Sequence, residues 1–239
     1  MGRFPNIAAA KAASGAARGK LYGMYAREIY QTAKNGGVTP EGNPSLKRLI
    51  EKAKKDQVPA DLIKRAIDKV NSGVGEQYEE LTYEMFGPAG STLMVKCLTD
   101  NVNRSVSDLR AVVNKCHIKM GAMGSVAYMY DNLCTVGFKG LSEEEVMDAL
   151  IANEVDFTDM EVEDGHTLVY GKPEDLFKIK EAISSIKPGV EFDIDEISLL
   201  PKERITLTGE DLDNFNRLID LLNEVDDVQT VYHNVELGN

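Results

Sequence analysis

From about residue 18 to residue 70, apolar residues recur three and four apart, the spacing of helices with one buried side. In RGKLYGMYAREIYQTAK, Leu21, Tyr22, Tyr25, Ala26, Ile29 and Ala33 form such a stripe, and Asn35-Gly36-Gly37 ends it. Asn43-Pro44 opens a second helix, because proline suits the first helical position, with Leu46, Leu49, Ile50 and Ala53 facing inward. Pro59 starts a third, buried through Leu62, Ile63, Ala66, Ile67 and Val70. At Asn71-Ser72-Gly73-Val74-Gly75 the composition shifts and a linker is predicted.

Beyond the linker the pattern turns to strands. Leu81–Phe86 and Ser91–Leu98 read as two strands around the turn Gly87-Pro88-Ala89-Gly90. Asp100–Asn103 has turn chemistry, and Ser105 with Asp108 three residues on resembles a capping box. That box would open a helix buried through Val106, Leu109, Val112 and Val113, before a Gly-rich turn and a strand in GAMGSVAYMYDN. From Thr135 the order is strand (135–138), helix (142–154), two strands around Asp164-Gly165, helix (173–186) and strand (191–199). This β-α-β-β-α-β order is ferredoxin-like. A strand at 204–207, a helix capped by Thr208 with Asp211, and a last strand in VQTVYHNV complete the chain.

The expected fold class is therefore α+β, with three domains. Residues 1–76 form a basic helical domain. Residues 77–131 and 204–239 form a discontinuous ferredoxin-like α/β domain, and residues 132–203 a second ferredoxin-like domain inserted in it.

Composition alters the picture mainly through charge. Residues 1–71 hold 14 Lys or Arg against 6 Asp or Glu, while residues 72–239 hold 13 against 33. A module of +8 is thus joined to a body of −20, within a whole-chain charge of −12. Such asymmetry points to a polyanionic partner for the basic end. KRLIEKAKKDQVPADLIKRAIDK, residues 47–69, is its densest part, with Lys47, Arg48, Lys54, Lys55, Lys64 and Arg65 among its cations. Lys20, Arg27 and Lys34, seven apart, share a side of the first helix. Arg3, Lys11 and Arg18 add charge before it. All are candidate phosphate contacts.

Other chemistry is sparse. Cys97, Cys116 and Cys134 are odd in number and lack CxxC spacing, which argues for a reducing compartment and against a thiolate metal site. No apolar run is long enough for a membrane span, and the start lacks a secretory apolar core. His117, His166 and His233 have no HExxH or i, i+4 partner. The acidic clusters, Asp226-Asp227 among them, read as caps and solvated faces. The expectation is a cytoplasmic protein with no catalytic constellation, metal or cofactor.

Several strings are similar to the YebC family, and the MGR start and YHNV end resemble its YeeN-like branch. The strings are VPADLIKRAIDK, LTDNVNR, GAMGSVAYM and the ending VYHNV, within a similarity covering nearly the whole chain. Phe4-Pro5 stands where many relatives have Lys-Trp. The resemblance implies a helical domain followed by two α/β domains. It also implies a role in gene expression, either as a transcriptional regulator binding DNA or as a translation factor at the ribosome that relieves stalls at proline stretches. Asn101, Asn103 and Arg104 match the family's LTDNxNR and become candidate contacts to phosphate at a helix start. Gly121, Gly124 and Ser125 match its Gly-rich turn, which can form an anion nest. The partner is expected to be nucleic acid, either DNA or ribosomal RNA and tRNA. The alternative is a protein-interaction module that uses the acidic lobes.

Overall fold

A computed structural model describes residues 15–236 apart from 74, 76 and 164. Three helices come first: α1 (Gly15–Gly36), α2 (Pro44–Lys55) and α3 (Ala60–Asn71). Their apolar stripes meet in one core, where Tyr25, Ile29, Leu46, Leu49, Ala53, Ile63 and Ala66 are buried. Burial of each large aliphatic side chain in such a core contributes about 1.5–3 kcal/mol relative to exposure.

The turn from α1 to α2 hangs on Asn43. Its Oδ1 accepts from Leu46 N at 3.1 Å as the cap of α2, and its Nδ2 donates to Thr32 O at 3.1 Å and Gly37 O at 2.9 Å. A β-carbon at Gly36 would lie 2.6 Å from that Nδ2, so only glycine lets the asparagine close on the end of α1.

An antiparallel hairpin follows, β1 (Glu79–Phe86) and β2 (Thr92–Thr99), in register from Glu79↔Thr99 to Phe86↔Thr92. Helix α4 (Val102–Lys115) and the short strand β3 (Lys119–Met120) come next. Strand β4 (Tyr130–Lys139), helix α5 (Glu143–Ala152), strands β5 (Asp159–Glu163) and β6 (His166–Gly171), helix α6 (Leu176–Ile186) and strand β7 (Phe192–Pro201) make the middle segment. Strand β8 (Ile205–Thr206), helix α7 (Gly209–Glu224) and strands β9 (Val228–His233) and β10 (Val235–Glu236) end the described chain.

The described chain divides into two compact units, residues 126–206 with 232–236, and residues 15–125 with 207–231. In the first, the strand order is β5-β6-β4-β7 with every pairing antiparallel, which is the ferredoxin-like arrangement. Val136 and Phe138 of β4 pack with Val146 and Leu150 of α5 and Ile179 and Ile183 of α6 in one core. Gly137 permits the central crossing, because a β-carbon there would lie 2.9 Å from both Ile194 and Leu168.

The other sheet has the order β3-β1-β2-β9. It draws strands from both sides of the segment that builds the ferredoxin-like sheet.

Three local expectations need correction. The strand expected at the end of GAMGSVAYMYDN is the start of β4, since Tyr130 and Asp131 pair with Pro201 and Leu200. The strand at 204–207 shrinks to β8 and pairs in parallel with β10 as a separate two-stranded ribbon. Helix α4 begins at Val102 with Asn101 as its N-cap, so Ser105 lies inside the helix and is not its cap.

Asn43→Ala removes one cap acceptor and two donors from a site that is 5 % exposed. The expected loss is about 2–3 kcal/mol, read as a lower urea midpoint for the helical signal. A loss below roughly 0.5 kcal/mol would show that the three helices hold their turn without it.

Candidate nucleic-acid interface

The cations picked out from the sequence fall into distinct settings. Lys47, Lys54 and Lys55 on α2 and Lys64 and Arg65 on α3 are exposed, as are Lys52, Lys69 and, on α1, Arg18. Arg48 is half-buried on α2. Lys52, Lys54 and Lys55 occupy the last turn of α2, where cations are favoured by the negative end of the helix dipole. Arg65 sits 2.6 Å from Asp61 on the same helix, but both side chains are more than two-thirds exposed. Water screens such a pair, so the guanidinium is held only weakly. Arg3 and Lys11 lie outside the described residues.

Lys20 and Arg27 have a different environment. Lys20 Nζ donates to the carbonyls of Asn223 and, at 2.6 Å, Val225, while Arg27 Nη2 donates to the carbonyl of Asp226. Asn223 lies in the last turn of α7, whose carbonyls have no intrahelical donors, and Val225 and Asp226 follow directly after it. Two cations of α1 therefore cap the negative end of α7. Burial lowers the Lys20 ammonium to a pKa of about 8, although Asp226 opposes the shift. Lys34, one heptad further on, is exposed with its Nζ 5.6 Å from the Tyr30 ring centroid. The seven-residue stripe is thus divided, and two of its three members serve the fold.

The LTDNVNR segment also has internal partners. Asn101 Oδ1 accepts from Arg104 N at 3.1 Å as the cap of α4. The Arg104 guanidinium donates to Asp227 from Nε at 3.2 Å and from Nη2 at 2.8 Å, and to Asp100 at 2.7 Å. Asp227 is 2 % exposed and accepts also from Ser105 Oγ at 2.7 Å and Thr99 Oγ1 at 3.0 Å. Burial works against its ionisation, but the bonds from Arg104, Ser105 and Thr99 outweigh it and hold the carboxyl below its ordinary range. The same contacts raise the Arg104 pKa. Asn103, the third matched residue, is exposed.

Asp227 is the residue that sequence reasoning missed, having placed it in a solvated acidic pair. Its partner Arg104 stands 123 positions away, and no local pattern announces the contact.

The Gly-rich turn gives a related result. Gly121 N donates to Glu84 O at 2.7 Å, and Gly124 N donates to the Glu84 carboxylate. Gly124 has φ +84°, a conformation open to glycine. Of the amides that could have formed an anion nest, that of Gly124 is taken by the buried Glu84 carboxylate and those of Gly121 and Ser125 by backbone carbonyls. The histidines are scattered: His117 is exposed, His166 lies 3.0 Å from Asp193, and His233 is buried with its pKa lowered to about 4 by that burial. None of the described helices is long and apolar enough to cross a membrane.

Comparison with known proteins places these features in a family. Residues 2–73 match the model described as the TACO1/YebC protein N-terminal domain, and residues 78–235 match the TACO1/YebC second and third domain. A "probable transcriptional regulatory protein" of Marinobacter nauticus is 45 % identical over 238 residues, covering 99 % of both chains. One of the same name from Vibrio parahaemolyticus is also 45 % identical, over 99 % of this chain and 100 % of its own. A solved conserved hypothetical protein from Aquifex aeolicus is similar with a TM-score of 0.74 and 35 % identity, covering 93 % of this chain and 91 % of the other.

Arg104→Ala leaves a buried carboxylate with fewer donors. Because the guanidinium is 45 % exposed and water can partly replace it, the expected loss is about 1–3 kcal/mol. The Asp227 contribution is present above the unfolded carboxyl pKa of about 3.9 and disappears as pH falls through the lower folded value. Asp227→Asn should therefore flatten the acid limb of a stability-against-pH curve. An acid limb unchanged by that substitution would remove Asp227 from this role.

Proposed function

The chain belongs to the TACO1/YebC family, and from that premise we propose that it is a non-enzymatic regulator of gene expression that acts by binding nucleic acid. The contact surface is the outward side of α2 and α3. The observation that carries this reading is the exposure of Lys47, Lys52, Lys54, Lys55, Lys64, Arg65 and Lys69 on a chain of net charge −12. Exposed cations clustered on a chain of net negative charge make a local positive patch, which attracts a polyanion. Phosphates supply its charge, and each one neutralised releases counterions.

The names of the relatives favour a transcriptional target, and DNA is the first expectation. Phosphate contacts have the same chemistry on DNA, ribosomal RNA and tRNA, so a ribosome-associated role in translation uses the same surface. Crosslinking in growing cells, followed by sequencing of the bound strands, separates the two. Recovery of promoter or intergenic DNA supports transcription, and recovery of ribosomal RNA or tRNA supports translation. Recovery of neither overturns the proposal and leaves the alternative, a protein-interaction module working through the acidic α/β units.

Arg104 and Asn101 take no part in this surface, because the Arg104 guanidinium is held by Asp227 and Asp100 and Asn101 Oδ1 caps α4. Lys20 and Arg27 contribute by positioning α1, with their donors directed at α7.

Lys54→Glu, Lys55→Glu and Lys64→Glu together remove three phosphate contacts. The salt slope of binding should fall by about 2.7 on B-DNA, with each substitution changing stability by no more than about 0.5 kcal/mol. Filter binding across a salt series checks it. A folded triple variant with an unchanged slope would show that these lysines are merely solvated.

A further inference from the structure

Between α1 and α3, next to the start of β1, lies a cavity of about 210 Å³ with an unusual lining. Tyr30 and Tyr78 form its aromatic part, Leu62 its aliphatic part, and Arg27, Arg65 and Lys69 its cations, with only alanines besides. No carboxylate lines it. The two rings meet edge to face, with centroids 5.8 Å apart and planes at 75°. Lys34 and Lys69 place their ammonium groups 5.6 and 5.8 Å from the Tyr30 centroid. Tyr30 is held where it stands, being 4 % exposed and crossed by the chain at Gly75. A β-carbon at Gly75 would fall 1.7 Å from the Tyr30 hydroxyl, so no side chain fits there.

A surface that only follows phosphates needs cations and no rings. Arg27 is accounted for by its bond to the Asp226 carbonyl, but packing two helices gives no reason to place Arg65 and Lys69 at the crevice as well. Aromatic rings with cations at the rim are the combination that holds an unstacked base together with its phosphate. The volume lies below the roughly 300–1,000 Å³ of clefts for larger ligands, which limits the occupant to about one planar ring. We infer that this cavity binds a single unstacked nucleotide. The base lies against the half-buried Tyr78, with the buried Tyr30 backing that ring edge to face, and its phosphate is met by Arg65 and Lys69. The target is then a single-stranded or looped-out segment rather than a continuous duplex, since a paired base cannot enter. This inference rests on the nucleic-acid reading above and narrows it.

The experiment compares three labelled probes on the full chain by fluorescence anisotropy: a short oligothymidylate, an abasic strand of equal length and charge, and a duplex of the same length. The base-bearing strand should bind roughly 5- to 150-fold more tightly than the abasic strand, the range for losing one base–aromatic stack. Tyr78→Ala should abolish that preference, and Tyr78→Phe should keep it. Lys54→Ala, outside the cavity, should weaken both strands alike. Circular dichroism shows that each variant is folded. If Tyr78→Ala does not fold, Lys69→Ala takes its place, with a reduced preference expected.

Equal binding of the base-bearing and abasic strands by the natural chain overturns the inference. So does a preference that survives Tyr78→Ala. Binding of the duplex with no preference among single strands sinks this inference alone, whereas binding of no probe sinks the nucleic-acid reading with it. Displacement by thymidine monophosphate as effectively as by the strand identifies a free nucleotide as the occupant. Displacement by the strand alone identifies nucleic acid.

Discussion

The carboxylate of Asp227 is buried at the point where α7 has ended and β9 is about to begin, and two other segments converge on it. Taking an unpaired carboxylate out of water costs several kcal/mol, so the site holds only if donors surround the charge. Thr99 supplies one from the end of β2, and Arg104 and Ser105 supply the rest from the first turns of α4. The backbone repeats the tie, with Leu98 N donating to Asp227 O at 2.9 Å. Thr99 in turn accepts from Asn101 N at 2.9 Å and so fixes the residue that caps α4. Satisfying one charge thereby sets the end of a strand, the start of a helix and the course of the chain after α7.

The residues just before it receive the cations of α1. Asn223 at the end of α7, and Val225 and Asp226 just after it, offer carbonyls to which Lys20 and Arg27 donate. This arrangement answers part of the electrostatic problem set by a +8 segment on a −20 body. The attraction is met with two long side chains and backbone oxygens, while α2 and α3 keep their cations outward. The outward set is exposed, so the nucleic acid proposed above would meet it at little cost to the fold. The inward set must be withdrawn from carbonyls before it can bind phosphate.

Much of the helical segment was legible in the sequence. The stripe through Tyr25, Ile29 and Ala33, the Asn43-Pro44 start and the Pro59 start all correspond to α1, α2 and α3. The ferredoxin-like order from β4 to β7 was equally readable, because alternation, helical spacing and turn glycines are all local signals. Less legible were the strand ends. Tyr130 and Asp131 belong to β4 because Pro201 and Leu200 are there to pair with them, and that register is a long-range fact.

The sequence by itself determined where helices and strands form, that charge is divided between the two parts of the chain, and which strings belong to a family. Each depends on neighbours within a few turns or on composition. Only the tertiary structure decided which of those charges face outward. Lys20 and Lys54 look alike as letters in a basic helix, yet one meets the end of α7 and the other meets water. Asp226 and Asp227 are adjacent, yet one gives a carbonyl to Arg27 and the other a buried carboxylate to Arg104. The physical reason is that desolvation and hydrogen-bond geometry are set by atoms distant in the chain, which periodicity and composition do not encode.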